Sequence, residues 1–152
     1  MDRILPGSAR GASGTTDRSA GLGLDHVTLT VADLAVAQAF YDAALEPLAL
    51  TRVVDYLDPE DEDEAGVEAV GYGPADGEAR LWLVAGAPRT TGAHIALRAT
   101  DAAAVDAFFA AGRAAGGRVR QVPRPWAIYR PGLVTAMLVD PDGNVVEALA
   151  RG

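Results

Sequence analysis

From Leu24 onward the chain begins to alternate: Val27, Leu29 and Val31 are apolar, while His26, Thr28 and Thr30 are polar. A period of two predicts a strand with one face in the core and the other turned away from it. Asp33 is placed to cap a helix, and Leu34, Ala37, Phe40, Tyr41 and Leu45 form its apolar stripe before Pro47 ends it. Three strand-like runs follow, near Leu48–Tyr56, Val67–Tyr72 and Ala79–Ala85. They are separated by an acidic stretch and by the turn formers Gly73-Pro74-Ala75-Asp76-Gly77.

A second cycle repeats the first. His94 to Ala99 alternates again, Asp101 caps a helix carrying Val105, Phe108 and Phe109, and Gly116-Gly117 closes it. Strand-like runs near Arg118–Val122, Leu133–Val139 and Asn144–Leu149 complete the cycle. The last two are joined by Asp140-Pro141-Asp142-Gly143-Asn144, a tight-turn sequence. Displaced by 68 positions, His26 falls on His94, Asp33 on Asp101, Phe40 on Phe108 and Tyr41 on Phe109. This agreement spans strand, cap and helix and predicts a duplicated βαβββ unit. The expected fold is a single α+β domain over residues 22–150, with tandem modules at about 22–87 and 88–150. Their curved mixed sheets are expected to face each other around one cavity. Residues 1–21 carry Gly, Ser and Thr without hydrophobic period and are expected to form a flexible tail.

Composition narrows the chemistry. A chain of 152 residues with 49% hydrophobic content can build one core, and no apolar stretch approaches the ~20 residues of a membrane span. A net charge of −8 argues against nucleic acid as a partner. With no cysteine there is no disulfide, thiolate metal site or cysteine nucleophile, which fits a reducing cytoplasm. All 13 basic residues are Arg, and the only serines, Ser8, Ser13 and Ser19, lie in the tail. Serine nucleophiles and Schiff-base lysines are therefore missing from the expected folded part. His, Asp, Glu, Tyr, Arg, Thr or a bound metal must supply any catalysis. Six of the acids crowd the run from Asp58 to Glu64, which reads as a solvated loop or as an acidic lip for cationic ligands.

His26 and His94 are the only histidines, and both lie opposite the apolar residues of their strands. On the last strand Val146 and Ala148 fall on one side and Glu147 on the other, where a buried carboxylate needs a partner. Two imidazoles and one carboxylate suit a divalent ion such as Fe, Mn, Ni, Co or Zn, with positions left open for water or substrate. The alternative is two unrelated surface or cavity histidines and an exposed glutamate. The segment from Arg124 to Pro131 offers a second candidate. Arg124 or Arg130 engages an anionic group with Tyr129 as donor or acid/base, or else Trp126 simply packs for stability.

Leu24-Asp25-His26-Val27-Thr28-Leu29-Thr30-Val31-Ala32-Asp33-Leu34, Phe40-Tyr41, and Leu138-Val139-Asp140-Pro141-Asp142-Gly143-Asn144-Val145-Val146-Glu147 together resemble the vicinal oxygen chelate superfamily. That group contains glyoxalase I, extradiol dioxygenases, fosfomycin-resistance transferases and bleomycin-resistance proteins. The resemblance covers about residues 22–150. It implies paired βαβββ modules, a homodimer, and, as in metal-dependent members, ligands at His26, His94 and Glu147. Glyoxalase I commonly adds a carboxylate from the last strand of the first module, where this chain has Trp82. A three-ligand site is therefore implied in place of a four-ligand one.

The resulting expectation is a divalent-metal-dependent lyase, isomerase, transferase or dioxygenase acting on a small substrate with vicinal oxygens. Tyr129 and Arg130 are the expected substrate contacts. The rival expectation is a metal-free protein that sequesters a small molecule, as bleomycin-resistance relatives do.

Overall fold

The computed structural model describes residues 23–57, 67–128 and 130–152. The expected tail, the acidic run 58–64 and Tyr129 lie outside the described residues. The first cycle forms β1 (Val27–Val31), α1 (Leu34–Leu45), a single 3-10 turn (Glu46–Leu48), β2 (Thr51–Leu57), β3 (Val67–Gly73) and β4 (Leu81–Ala85). The second forms β5 (His94–Arg98), α2 (Ala102–Ala114), β6 (Arg118–Pro125), β7 (Leu133–Val139) and β8 (Val145–Arg151). The same device starts both helices: Asp33 accepts from the backbone N–H of Val36 at 3.0 Å, and Asp101 from that of Ala104 at 2.8 Å.

Each module folds into a four-stranded mixed sheet, in the orders β1-β4-β3-β2 and β5-β8-β7-β6. Within each sheet the first strand pairs in parallel with the last, and the remaining neighbours are antiparallel. The alternation seen in the sequence decides which face is buried. Leu29 and Val31 of β1 enter the core, as do Val146, Ala148 and Ala150 of β8.

Both modules share that core, and α1 packs on α2 within it. Gly112 permits the approach: a Cβ there would lie 2.5 Å from Leu138 Cδ1 and 3.1 Å from Ala44 Cβ. With the helices packed on each other, the two sheets do not close around one cavity within the chain. Each open face carries a cavity of its own. Among the described residues no helix is long and apolar enough to cross a membrane.

The turn between β7 and β8 is more than a hairpin connection. Asp140, 1% exposed, receives the Tyr41 hydroxyl at 2.6 Å, the backbone N–H groups of Asp142 and Asn144, and the Asn144 side-chain amide. Asp142 accepts from the Ala32 N–H at 3.1 Å, and Asn144 bonds both Ala93 and Thr90. Tyr41 and Ala32 belong to the first module, so this buried network ties the second module's turn to it. Burial, reinforced by Asp140, pushes the Tyr41 hydroxyl far above its ordinary pKa of 10 and keeps it a donor.

Candidate functional site

The cavity on the second sheet is built by strand register. Ala96 lies opposite Glu147 in the parallel pair β5–β8, so His94, two residues earlier, shares its face with that carboxylate. His94 Nε2 and Glu147 Oε2 meet at 2.7 Å. Glu147 is 8% exposed, whereas the His94 side chain is about half exposed. The carboxylate therefore sits at the floor and the imidazole reaches toward solvent. When Nε2 donates to Glu147, Nδ1 is left with a lone pair that can accept a hydrogen bond.

The same period of two turns Thr135 and Met137 of β7, and Leu149 and Arg151 of β8, onto this face. Trp126 and Arg130 also line this open cavity, whose volume is about 380 Å³. The two arginines considered for anion contact separate here. Arg124 stacks on Trp126, 4.3 Å from the ring centroid, and donates to Gln121, which itself donates to Thr135. Arg130 instead lines the cavity. Thr135, Met137, Leu149 and Arg151 went unnoticed as lining residues. The alternation of β7 and β8 could have found them, because residues 133, 135 and 137 and residues 147, 149 and 151 oppose one another on one face.

His26 opens onto the other cavity, about 440 Å³, together with Asp25, Val54, Glu78 and Trp82. Its Nδ1 lies 2.6 Å from Asp25 Oδ1, a hydrogen bond that holds Asp25 below the ordinary carboxylate range. Trp82 pairs with Thr28 as Glu147 pairs with Ala96, and Thr28 and Ala96 are again 68 positions apart. Trp82 thus holds in the first module the place that Glu147 holds in the second.

The structure brings His94 and Glu147 together and leaves His26 apart. Among the described residues no three His, Asp or Glu side chains gather where an ion could sit. One chain is therefore one donor short of the expected set, and its residues alone do not fit a metal centre.

The chain matches the family model of the Glyoxalase/Bleomycin resistance protein/Dioxygenase superfamily over residues 23–148. Among solved structures it is similar to a glyoxalase/bleomycin resistance protein from Albidiferax ferrireducens T118. The two are 29% identical over 84% of this chain and 97% of that one, with a TM-score of 0.65. A glyoxalase I mutant from Zea mays is 25% identical, with a TM-score of 0.58 over 82% of this chain but only 45% of that chain. A glyoxalase/bleomycin resistance protein/dioxygenase family enzyme from Burkholderia phytofirmans PsJN shares the fold at 18% identity and a TM-score of 0.59, over 82% of this chain and 95% of that one. No curated protein matches the chain significantly.

Proposed function

We propose, from the premise that the chain belongs to the Glyoxalase/Bleomycin resistance protein/Dioxygenase superfamily, that it is a divalent-metal-dependent enzyme. Its substrate is a small molecule with vicinal oxygens, and its chemistry is that of a lyase, isomerase, transferase or dioxygenase. The observation that carries this reading is the convergence of His94 and Glu147 at 2.7 Å on the floor of an open cavity. The likeness to a glyoxalase I supports an enzyme, and Trp82 argues for three donors over four.

A homodimer completes the set, with the partner subunit's His26 joining His94 and Glu147. Three features support this pairing. The two histidines occupy equivalent places on separate open faces. The strands that carry or follow them, β1 and β5, are sheet edges. Residues 22–87 hold 2 Arg against 14 acids, while residues 88–152 hold 8 Arg against 5 acids, so the unlike modules of two copies attract.

A divalent ion held there supplies Lewis acidity toward the substrate's oxygens. The chain's own part is to hold and orient: His94 and Glu147 would hold the ion with the partner subunit's His26, and Arg130 and Tyr129 would contact the substrate.

Elemental analysis of untagged protein purified without chelator, run beside its native mass, tests the proposal. The expected result is a dimer with near-stoichiometric metal that His94→Ala abolishes. Protein that stays metal-free after incubation with Fe(II), Mn, Ni and Zn would overturn the enzyme mechanism, and small-molecule sequestration would then lead.

A further inference from the structure

We infer that the His94 cavity takes an elongated organic acid, whose carboxylate docks at Arg130 and Arg151 and whose apolar body runs toward His94. This rests on the reading that this cavity is the functional site.

Register sets the axis. Along β7 and β8 the facing pairs are Met137 with Glu147, Thr135 with Leu149, and Leu133 with Arg151. The Leu133 N–H donates to the Arg130 carbonyl at 3.3 Å, which brings Arg130 to the Arg151 end. The backbones of Arg130 and Arg151 therefore lie at one end of the cavity that both side chains line, and the His94–Glu147 pair at the other. Glu147 and Arg151 lie four positions apart on β8, roughly 13 Å between their Cα atoms.

Charge is distributed along the same axis. Among the described residues Glu147 is the one acid lining the cavity, and it is hydrogen-bonded to His94. Arg130 and Arg151 are exposed, and among the described residues neither makes a salt bridge. A cationic ligand would meet two guanidinium groups and one committed carboxylate, so the chain's total of −8 misleads about this site. On the His26 side, Asp25 is likewise committed to its histidine. Arg120 borders an adjoining pocket beside His94, but Arg130 and Arg151 are the pair that line this cavity, and guanidinium favours carboxylate geometrically.

Between the ends the wall is apolar, formed by Trp126, Leu133, Met137 and Leu149 with Thr135 among them. A volume of about 380 Å³ suits a small molecule. The ligand that fits carries its carboxylate several carbons away from its reacting end. A compact three-carbon acid would reach one end only.

The test uses 4-phenylbutyrate, its uncharged amide and 4-phenylbutylamine, titrated into the full chain by calorimetry or NMR, with acetate as the short control. The butyrate is expected to bind saturably, the amide about tenfold more weakly, and acetate and the amine without saturation. Arg130→Gln and Arg151→Gln should each weaken the butyrate roughly three- to tenfold, less at high salt. Equal or tighter binding of the amine, affinity unmoved by both substitutions, or no saturable binding at all would overturn the proposal. Metal content in the same samples separates the two readings. Butyrate binding to protein that stays metal-free after incubation with Fe(II), Mn, Ni and Zn sinks the enzyme and keeps the docking site, while metal-loaded protein indifferent to the arginines does the reverse.

Discussion

Opposite Thr28 of the first sheet stands Trp82, and opposite the equivalent Ala96 of the second stands Glu147. On the core side the modules have stayed alike: Phe40 and Phe108 are both fully buried, and Asp33 and Asp101 cap both helices. On the open side they have parted. The second face gathers His94, Glu147, Arg130 and Arg151, whereas the first keeps one imidazole bonded to its neighbouring Asp25. Packing constrains a duplicated unit from within, because a core tolerates few changes of volume. An open face is free to specialise, and here polar chemistry has concentrated in one module.

The lock that joins the modules is the sharpest place to break this comparison. Asp140→Ala strands four donors, from Tyr41, Asp142 and two atoms of Asn144. It should cost about 3–5 kcal/mol in urea unfolding. A loss under 1 kcal/mol would mean that the modules hold together by apolar packing alone.

Glu147→Gln keeps the shape but removes the charge. It should weaken metal binding roughly a hundredfold, about 2.7 kcal/mol, while the melting temperature stays within a few degrees. Trp82→Gln, the matching change in the other module, should leave metal content untouched.

Alkaline stability gives a further contrast. Burial comes first in raising the hydroxyls of both Tyr41 and Tyr72, helped by hydrogen bonds to Asp140 and Asp42, and both lie far above the ordinary value of 10. Above pH 10 the unfolded chain gives up protons that the folded state retains. Stability is therefore full below pH 10 and falls as pH rises beyond it, by about 1.4 kcal/mol per pH unit for each tyrosine. Tyr41→Phe should halve that slope in denaturant melts taken between pH 10 and 11. The smallest effect is the most symmetric one. Asp33→Ala and Asp101→Ala should each cost about 1 kcal/mol, and a large inequality between them would show that the modules do not start their helices alike.

Much of this was legible in the sequence because it is periodic. Alternation located β1 and β5 and set Glu147 of β8 opposite Val146 and Ala148, a strand-like apolar run located β7, and helical stripes with aspartate caps located α1 and α2. β6 runs on to Pro125, beyond the expected Val122, since register shifts on either side of Gln121 break its alternation. The Tyr41–Asp140 bond escaped notice because it joins residues 99 positions apart and has no period. Equivalence under the repeat aligned His26 with His94 but carried no information on proximity, since two like faces can point apart. Arg151 lies beyond the apolar run near Asn144–Leu149, and only the ladder with Leu133 brings it to the cavity.

Whether one site is built from two copies is tested most directly by mixing inactive partners. His26→Ala and Glu147→Ala, each prepared alone, should hold no metal. Unfolded together and refolded as a mixture, they should regain roughly a quarter of the wild-type metal, because a mixed dimer rebuilds one of its two sites. A mixture that stays empty while the wild type binds metal, or a His26→Ala protein that keeps its full metal content, would contradict a site shared between subunits.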